Sequence, residues 1–221
     1  MLQSDARSPD AQAAAASPRR HESLYLEDGN VIFQVEDVLF NVHRYFFQRY
    51  SQSFYGMFLC KPTEGVPQEG SSDDAPIVLE QTSAVDFARL LRVFYPDSFV
   101  KWQLGTTEEW TSVLRLAHRW QFDNIVALVG DWLPTTATPV EQIALAREFH
   151  LPNIVGPAGV QLCARAEPLS LDETRQLGVD AAHVIWLLRE NYRMNWRNME
   201  VRMQDAAKVE EAFESLDRPD V

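Results

Sequence analysis

The 221-residue sequence has little cysteine, little glycine and a shortage of positive charge, and each shortage removes a class of function. Its two cysteines, Cys60 and Cys163, lie about a hundred positions apart in dissimilar segments. That is neither a disulfide framework nor a Cys/His metal set, so a reducing compartment is expected. Nine glycines include no phosphate-cradling loop and no Gly-x-Ser-x-Gly elbow, and no Ser/His/Asp grouping stands out, so no catalytic residue and no cofactor is assigned. Twenty basic against 32 acidic residues leave a net charge of -12 and a pI of about 4.8, the wrong sign for direct binding to nucleic acid or an anionic membrane. No run approaches the ~20 consecutive apolar residues that span a bilayer. Met1 to Pro18 lacks the apolar core of a signal peptide, and no asparagine sits in an N-x-Ser/Thr sequon. Cytoplasm or nucleus is the expected location.

The residues able to carry chemistry are scattered. His21, His43, His118, His150 and His183 include no pair at the i, i+4 spacing of a helix-borne metal site, so no metal is assigned. The paired carboxylates Glu108-Glu109, Glu210-Glu211 and Asp73-Asp74 read as a helix cap and solvated polar stretches. Six tryptophans fall mostly on apolar helical faces, with Trp102 and Trp196 the candidates for exposed anchors.

Along the chain, residues 1–22 are rich in Ala, Ser, Gln and Pro, and predict a disordered tail. Val31-Ile-Phe-Gln-Val35, a Glu36-Asp37 turn and Val38-Leu-Phe-Asn-Val42 predict a hairpin. Phe46, Phe47 and Tyr50, then Phe54, Met57 and Phe58, recur at helical steps and predict two short helices. Lys61 to Pro76 reads as a solvated, mobile loop. Ile77-Val-Leu79 fits a further strand, and Ser83 opens a helix that ends before Pro96. Three capping boxes announce later helices: Thr106 with Glu109, Thr138 with Glu141 and Ser170 with Glu173.

An internal repeat joins Leu114–Val126 to Ile143–Val155 at an offset of 29 residues, matching Leu116/Leu145, Ala117/Ala146, Trp120/Phe149, Asn124/Asn153, Ile125/Ile154 and Val126/Val155. Each copy predicts a helix, a turn and a new helix starting at Asp123 or Pro152, hence two helical hairpins. From Ala181 to Leu216 an apolar stripe predicts one long amphipathic helix. Its Tyr192, Trp196, Met199 and Met203 are candidates for a contact surface.

Asp28-Gly-Asn-Val31, Phe33, Val35, Phe40-Asn-Val-His43-Arg44, Ser51, Phe54 and Met57-Phe58, in that order of elements, resemble the signature of the BTB/POZ fold. The likeness covers about residues 24–133, and Glu141 to Arg189, with Arg165-Ala-Glu-Pro-Leu-Ser170 and Gly178-Val-Asp180, resembles the helical extension of many fungal BTB proteins. The expected fold class is therefore α+β, a small mixed sheet with helical hairpins, followed by an all-α extension. The expected division is 1–22 tail, 23–134 BTB/POZ domain and 135–221 helical extension.

The resemblance implies a non-enzymatic adaptor that associates with other proteins. A homodimer and a cullin-type ubiquitin ligase scaffold are the partners it implies, and a transcriptional co-regulator reaching DNA only through partners is the alternative. The interface candidates are Leu24, Tyr25, Leu26, Asn30, Arg44, Tyr45, Phe46 and Arg49, with burial inside the monomer an open alternative for Tyr45 and Phe46. Asn30 departs from the pattern: many dimeric members carry an aspartate there, paired with the arginine that matches Arg44.

Overall fold

Backbone pairing, not side-chain burial, makes a strand of Arg19–Tyr25 (β1), whose side chains are mostly exposed. It runs parallel to Val38–Val42 (β3), which pairs antiparallel with Val31–Val35 (β2), and β2 pairs parallel with Ile77–Val78 (β4). The sheet order is β1-β3-β2-β4. Composition cannot reveal a strand whose pleat carries Arg19, Arg20, His21, Glu22 and Ser23, so the expected tail through residue 22 is corrected: order begins by Arg19. The register between β1 and β3 breaks between Arg20 and Tyr25, and His21 fills the break, its Nδ1 accepting from the Ser23 and Leu24 N–H groups at 3.2 Å each. The computed structural model describes residues 17–60, 67–98, 100, 102–194 and 203–217.

The chain falls into two compact units, one comprising residues up to Arg44 with 62–84, the other 45–61 with everything from Val85 onward. In the first, β3 is buried at every position and β2 at all but Gln34, which explains their near-continuous apolar runs. The hairpin lies where the sequence places it, with Glu36 of the turn in the left-handed region at φ 55°. Asn41 is buried in β3, and its Nδ2 donates to the Leu26 carbonyl at 2.6 Å. Of the expected loop, residues 61–66 lie outside the described residues, and a Ser72–Ala75 bridge closes a turn in the remainder. Gly70 at φ 80° donates to the Ala75 carbonyl at 2.6 Å and accepts from Ile32. A Cβ there would meet Ile77 and Val31 side-chain atoms at 2.9 Å, so only glycine suits both the backbone and the space.

The second unit is helical: Arg44–Tyr50 (α1, entered from the first unit), Gln52–Leu59 (α2), Ala84–Phe94 (α3), Thr107–Arg119 (α4), Asp123–Thr136 (α5), Pro139–Phe149 (α6), Val155–Ala164 (α7), Leu171–Leu177 (α8), Val179–Met194 (α9) and Met203–Asp217 (α10). All three capping boxes form, at Thr106, Thr138 and Ser170. Phe47, Phe54, Phe87, Phe94, Trp120 and Phe122 build an aromatic core: Phe47 lies 5.0 Å from Phe54 and 5.9 Å from Phe122, and Phe54 lies 5.4 Å from Trp120. Ser51 ties this core together: its buried hydroxyl donates to the Trp120 carbonyl at 2.5 Å and accepts from the Phe54 N–H at 3.0 Å, capping α2.

The 29-residue repeat is structural. Gln121 and His150, related by the offset, both adopt φ near +55°, and the residue after each donates back five positions: Phe122 to Ala117 at 2.8 Å, Leu151 to Ala146 at 2.9 Å. This is a Schellman ending with a buried apolar residue just beyond the left-handed one. The second copy departs once, because Asn153 also turns left-handed at φ 62° and α7 starts at Val155 instead of Pro152.

Two further expectations are corrected. The boundary placed between residues 134 and 135 falls inside α5, which continues to Thr136 around Pro134. The single helix over 181–216 is two, α9 and α10, which pack on each other and each on α7. Apolar spacing can carry on from one helix into the next, so periodicity could not show the division. α10 buries Val209 and Phe213, with Val209 over Gly159 and Ala206 over Gly156 of α7. Glu210 accepts from the Gly156 N–H at 2.6 Å, supplying the cap that Ile154 cannot.

In the extension, Arg165 grips Glu173 through two contacts of 2.7 Å, and Ser170 N–H donates to the same carboxylate at 2.7 Å. The Arg165 guanidinium, then this backbone donor, hold the Glu173 carboxyl down at about 2 from its ordinary 4.5. A carboxylate with a depressed folded-state pKa contributes stability above its unfolded value and loses it as pH falls through the folded one. Glu173→Gln is therefore expected to cost roughly 1 kcal/mol at neutral pH. The gap between variant and parent should close as pH drops from about 4.5 toward 2, read by urea midpoints across that range.

Candidate interaction surface

The eight interface candidates separate once their surroundings are known. Leu24 is only 4% exposed, so it is corrected from an interface anchor to a core residue: it is the inward-facing position of β1. Leu26 is half-buried, and its carbonyl accepts from Asn41. Tyr25 is half-buried beside two charges: its hydroxyl donates to Asp73 at 2.6 Å and the Arg20 guanidinium sits 4.4 Å over its ring. Arg20 also donates to Asp73 at 2.7 and 2.9 Å. Burial, then the bond to Asp73, pushes the Tyr25 phenol up; the same Tyr25 bond, helped by Arg20, holds Asp73 down. The cluster pins β1 to the 67–76 segment and leaves Tyr25 committed within the chain.

Asn30 is exposed, but its Oδ1 accepts from the Arg44 backbone N–H at 2.7 Å. The asparagine therefore addresses the first turn of α1 through its backbone, work that a neutral amide oxygen does as well as a carboxylate. Phe46 is half-buried, stacked on Phe94 at 5.1 Å and edge-on to Tyr95 at 5.4 Å, so for Phe46 packing within the monomer accounts for most of the ring.

Tyr45 is 59% exposed. It stands edge-on to Tyr50 at 6.4 Å, and Tyr50 with Tyr55 walls an open groove of about 630 Å³. Arg49, Gln52, Gln121 and Asp123 are among its other lining residues, so α1, α2 and the start of α5 present aromatic faces, amides and one charge of each sign. Leu59, at the end of α2, is also exposed. Tyr50 and Tyr55 were missed because the helical spacing of α1 and α2 assigns aromatic rings to a core face. The signal available was chemical: a tyrosine keeps a hydroxyl that prefers water or a partner where a phenylalanine is indifferent.

Among the described residues no three His, Cys, Asp or Glu converge on a metal position. Burial pushes the Cys163 thiol up to about 11, which keeps it protonated and unreactive at neutral pH. Among the described residues no helix is long and apolar enough to cross a membrane.

A family model described as BTB/POZ domain matches residues 24–137. The chain belongs to the BTB/POZ family. A BTB/POZ domain is generally a protein-protein interaction module and not an enzyme class. The match ends at the close of α5, so the second copy of the repeat, in α6 and α7, lies beyond the BTB/POZ domain. No curated protein matches the chain.

Of the tail candidates, Trp196 and Met199 lie outside the described residues, as do the side chains of Tyr192 and Met203. Trp102 is half-buried against Trp110, edge-on at 5.8 Å. The exposed tryptophan among those described is Trp186 on α9, at 55%.

Proposed function

We propose that this chain is an adaptor whose BTB/POZ domain associates with a second copy or with another protein through the tyrosine face of α1 and α2. The observation that supports the reading is the run of exposed rings Tyr45, Tyr50 and Tyr55 beside Arg49. Tyrosine and arginine are enriched where interfaces carry their binding energy, because each offers large contact area with a polar end. A stable pair would bury at least ~1,000 Å² in total. The finer proposal is a bridge between a client and a cullin-type ubiquitin ligase, in cytoplasm or nucleus. It is motivated by the α4–α5 hairpin running into a second hairpin of the same design across only Ala137 and Thr138.

Light scattering on the full chain at about 100 µM, a concentration at which even modest affinities populate the complex, should return twice the monomer mass. Tyr45→Ala with Tyr50→Ala should return the monomer, with an unchanged circular dichroism spectrum. If the parent is monomeric, the double variant should instead lose capture of a purified cullin N-terminal region. A monomer whose cullin capture ignores the tyrosines would sink the reading.

A further inference from the structure

We propose that the outward face of α9 receives a basic amphipathic helix of a partner protein. The inward side of α9 is spent on the extension's core: Ala181, Ala182, Val184 and Ile185 are buried, and Arg189 turns in to donate to the Leu162 carbonyl at 2.6 Å and to Ala166 at 3.2 Å. The opposite side keeps its apolar residues in water. Val179 is 79% exposed, Trp186 55% and Leu187 44%, and His183 stacks flat on Trp186 at 5.8 Å with 19° between the rings. At 100° per residue Val179, His183, Trp186, Leu187 and Glu190 share one stripe about three turns long. A helix apolar on both sides is buried or is waiting for a partner.

Charge decides the partner's chemistry. Of the charged residues on this stripe and at its edges, Glu190 and Asp180 are acidic, the neighbouring Arg189 is buried and engaged, and the side chain of Arg193, one turn beyond Glu190, lies outside the described residues. The stripe therefore offers a tryptophan anchor and an aliphatic shelf under a negative field, on a chain of net charge -12. Apolar residues spaced for one helical face and flanked by Lys or Arg complement this surface, and an acidic or all-apolar helix does not. A second copy of this chain would bring the same carboxylates against themselves. The face is separate from the tyrosine surface, so it stands or falls apart from the association of the BTB/POZ domain.

The test titrates the full chain against a fluorescein-labelled 14-residue Leu/Lys amphipathic peptide, with a Leu/Glu peptide of the same apolar pattern alongside, and follows anisotropy. The basic peptide should bind at least tenfold tighter than the acidic one. Trp186→Ala with Leu187→Ala should weaken it tenfold or more, and Asp180→Lys with Glu190→Lys should do so severalfold. Glu108→Lys with Glu148→Lys, on α4 and α6, should leave it unchanged. All four positions changed in the α9 variants are solvent-facing or half-buried, so the fold is retained and circular dichroism checks it. Equal binding of the two peptides overturns the proposal. So does binding that ignores the α9 variants but responds to those on α4 and α6, which is attraction to net charge alone. Self-association of the parent lost with Trp186→Ala overturns it too, by assigning the face to a second copy.

Discussion

Phe47→Ala is expected to destabilise the helical unit by about 3–5 kcal/mol, the range for removing a fully buried aromatic ring. The ring has no solvent exposure and meets Phe54, Phe87, Phe94 and Phe122, at centroid distances between 5.0 and 6.3 Å. Those neighbours are themselves rigid aromatics from two other helices, α2 and α3, and the α4–α5 turn. They cannot collapse into the space, and the cavity term adds to the lost transfer energy. Phe46→Ala is the control: its ring is half-buried, and about 1–2 kcal/mol is expected from a partial loss of burial. Urea midpoints followed by circular dichroism compare the two. A cost for Phe47 no larger than that for Phe46 would show that the aromatic cluster does not hold α1 in place.

Gly156→Val is expected to expel α10 from α7. A Cβ at this position would lie 2.6 Å from the Ala206 carbonyl oxygen and 2.8 Å from the Glu210 carboxylate. The first is backbone, which cannot swing aside as the end of a side chain can, and valine adds two methyl groups beyond that Cβ. Overpacking of this kind costs about 1–3 kcal/mol if α10 stays. If it leaves, Val209 and Phe213 each give up burial of about 1.5–3 kcal/mol, and α7 loses its borrowed cap. Hydrogen exchange should therefore accelerate at the described amides of α10 and at the first turn of α7, while α4 keeps its protection. Gly130→Ala makes the contrast, since its nearest neighbour would be Ile154 Cδ1 at 3.9 Å, and helix propensity alone favours that change by up to about 1 kcal/mol. Unaltered exchange in α10 of the valine variant would refute the close approach.

What the sequence made legible followed rules that act over a few residues. The hairpin, the short helices, the three capping boxes and the paired helix endings all depend on spacings of two to five positions, and each occurs where those spacings place it. The 29-residue repeat predicted a turn after each helix, and the structure adds that both turns carry a left-handed residue, Gln121 and His150. The misses needed partners distant in the chain. β1 exists because β3 offers it hydrogen bonds, which Arg19–Ser23 could not advertise, and Leu24 is buried for the same reason. The seating of α10 depends on two glycines of α7, some fifty positions earlier, whose role becomes visible only when Val209 and Glu210 lie over them. Of the interface candidates on α1, Tyr45 and Arg49 are exposed and Phe46 is half-buried. A helical stripe says which residues share a side, and it does not say which side water keeps.

The two margins of the sheet bear on how copies of this protein can and cannot aggregate. One margin is β1, studded with Arg19, Arg20 and Glu22; the other is β4, only two residues long. Free strands of such charge and brevity are poor templates for a neighbouring chain to hydrogen-bond onto. Growth of ribbons from edge to edge is therefore discouraged at both ends, by charge along β1 and by brevity at β4.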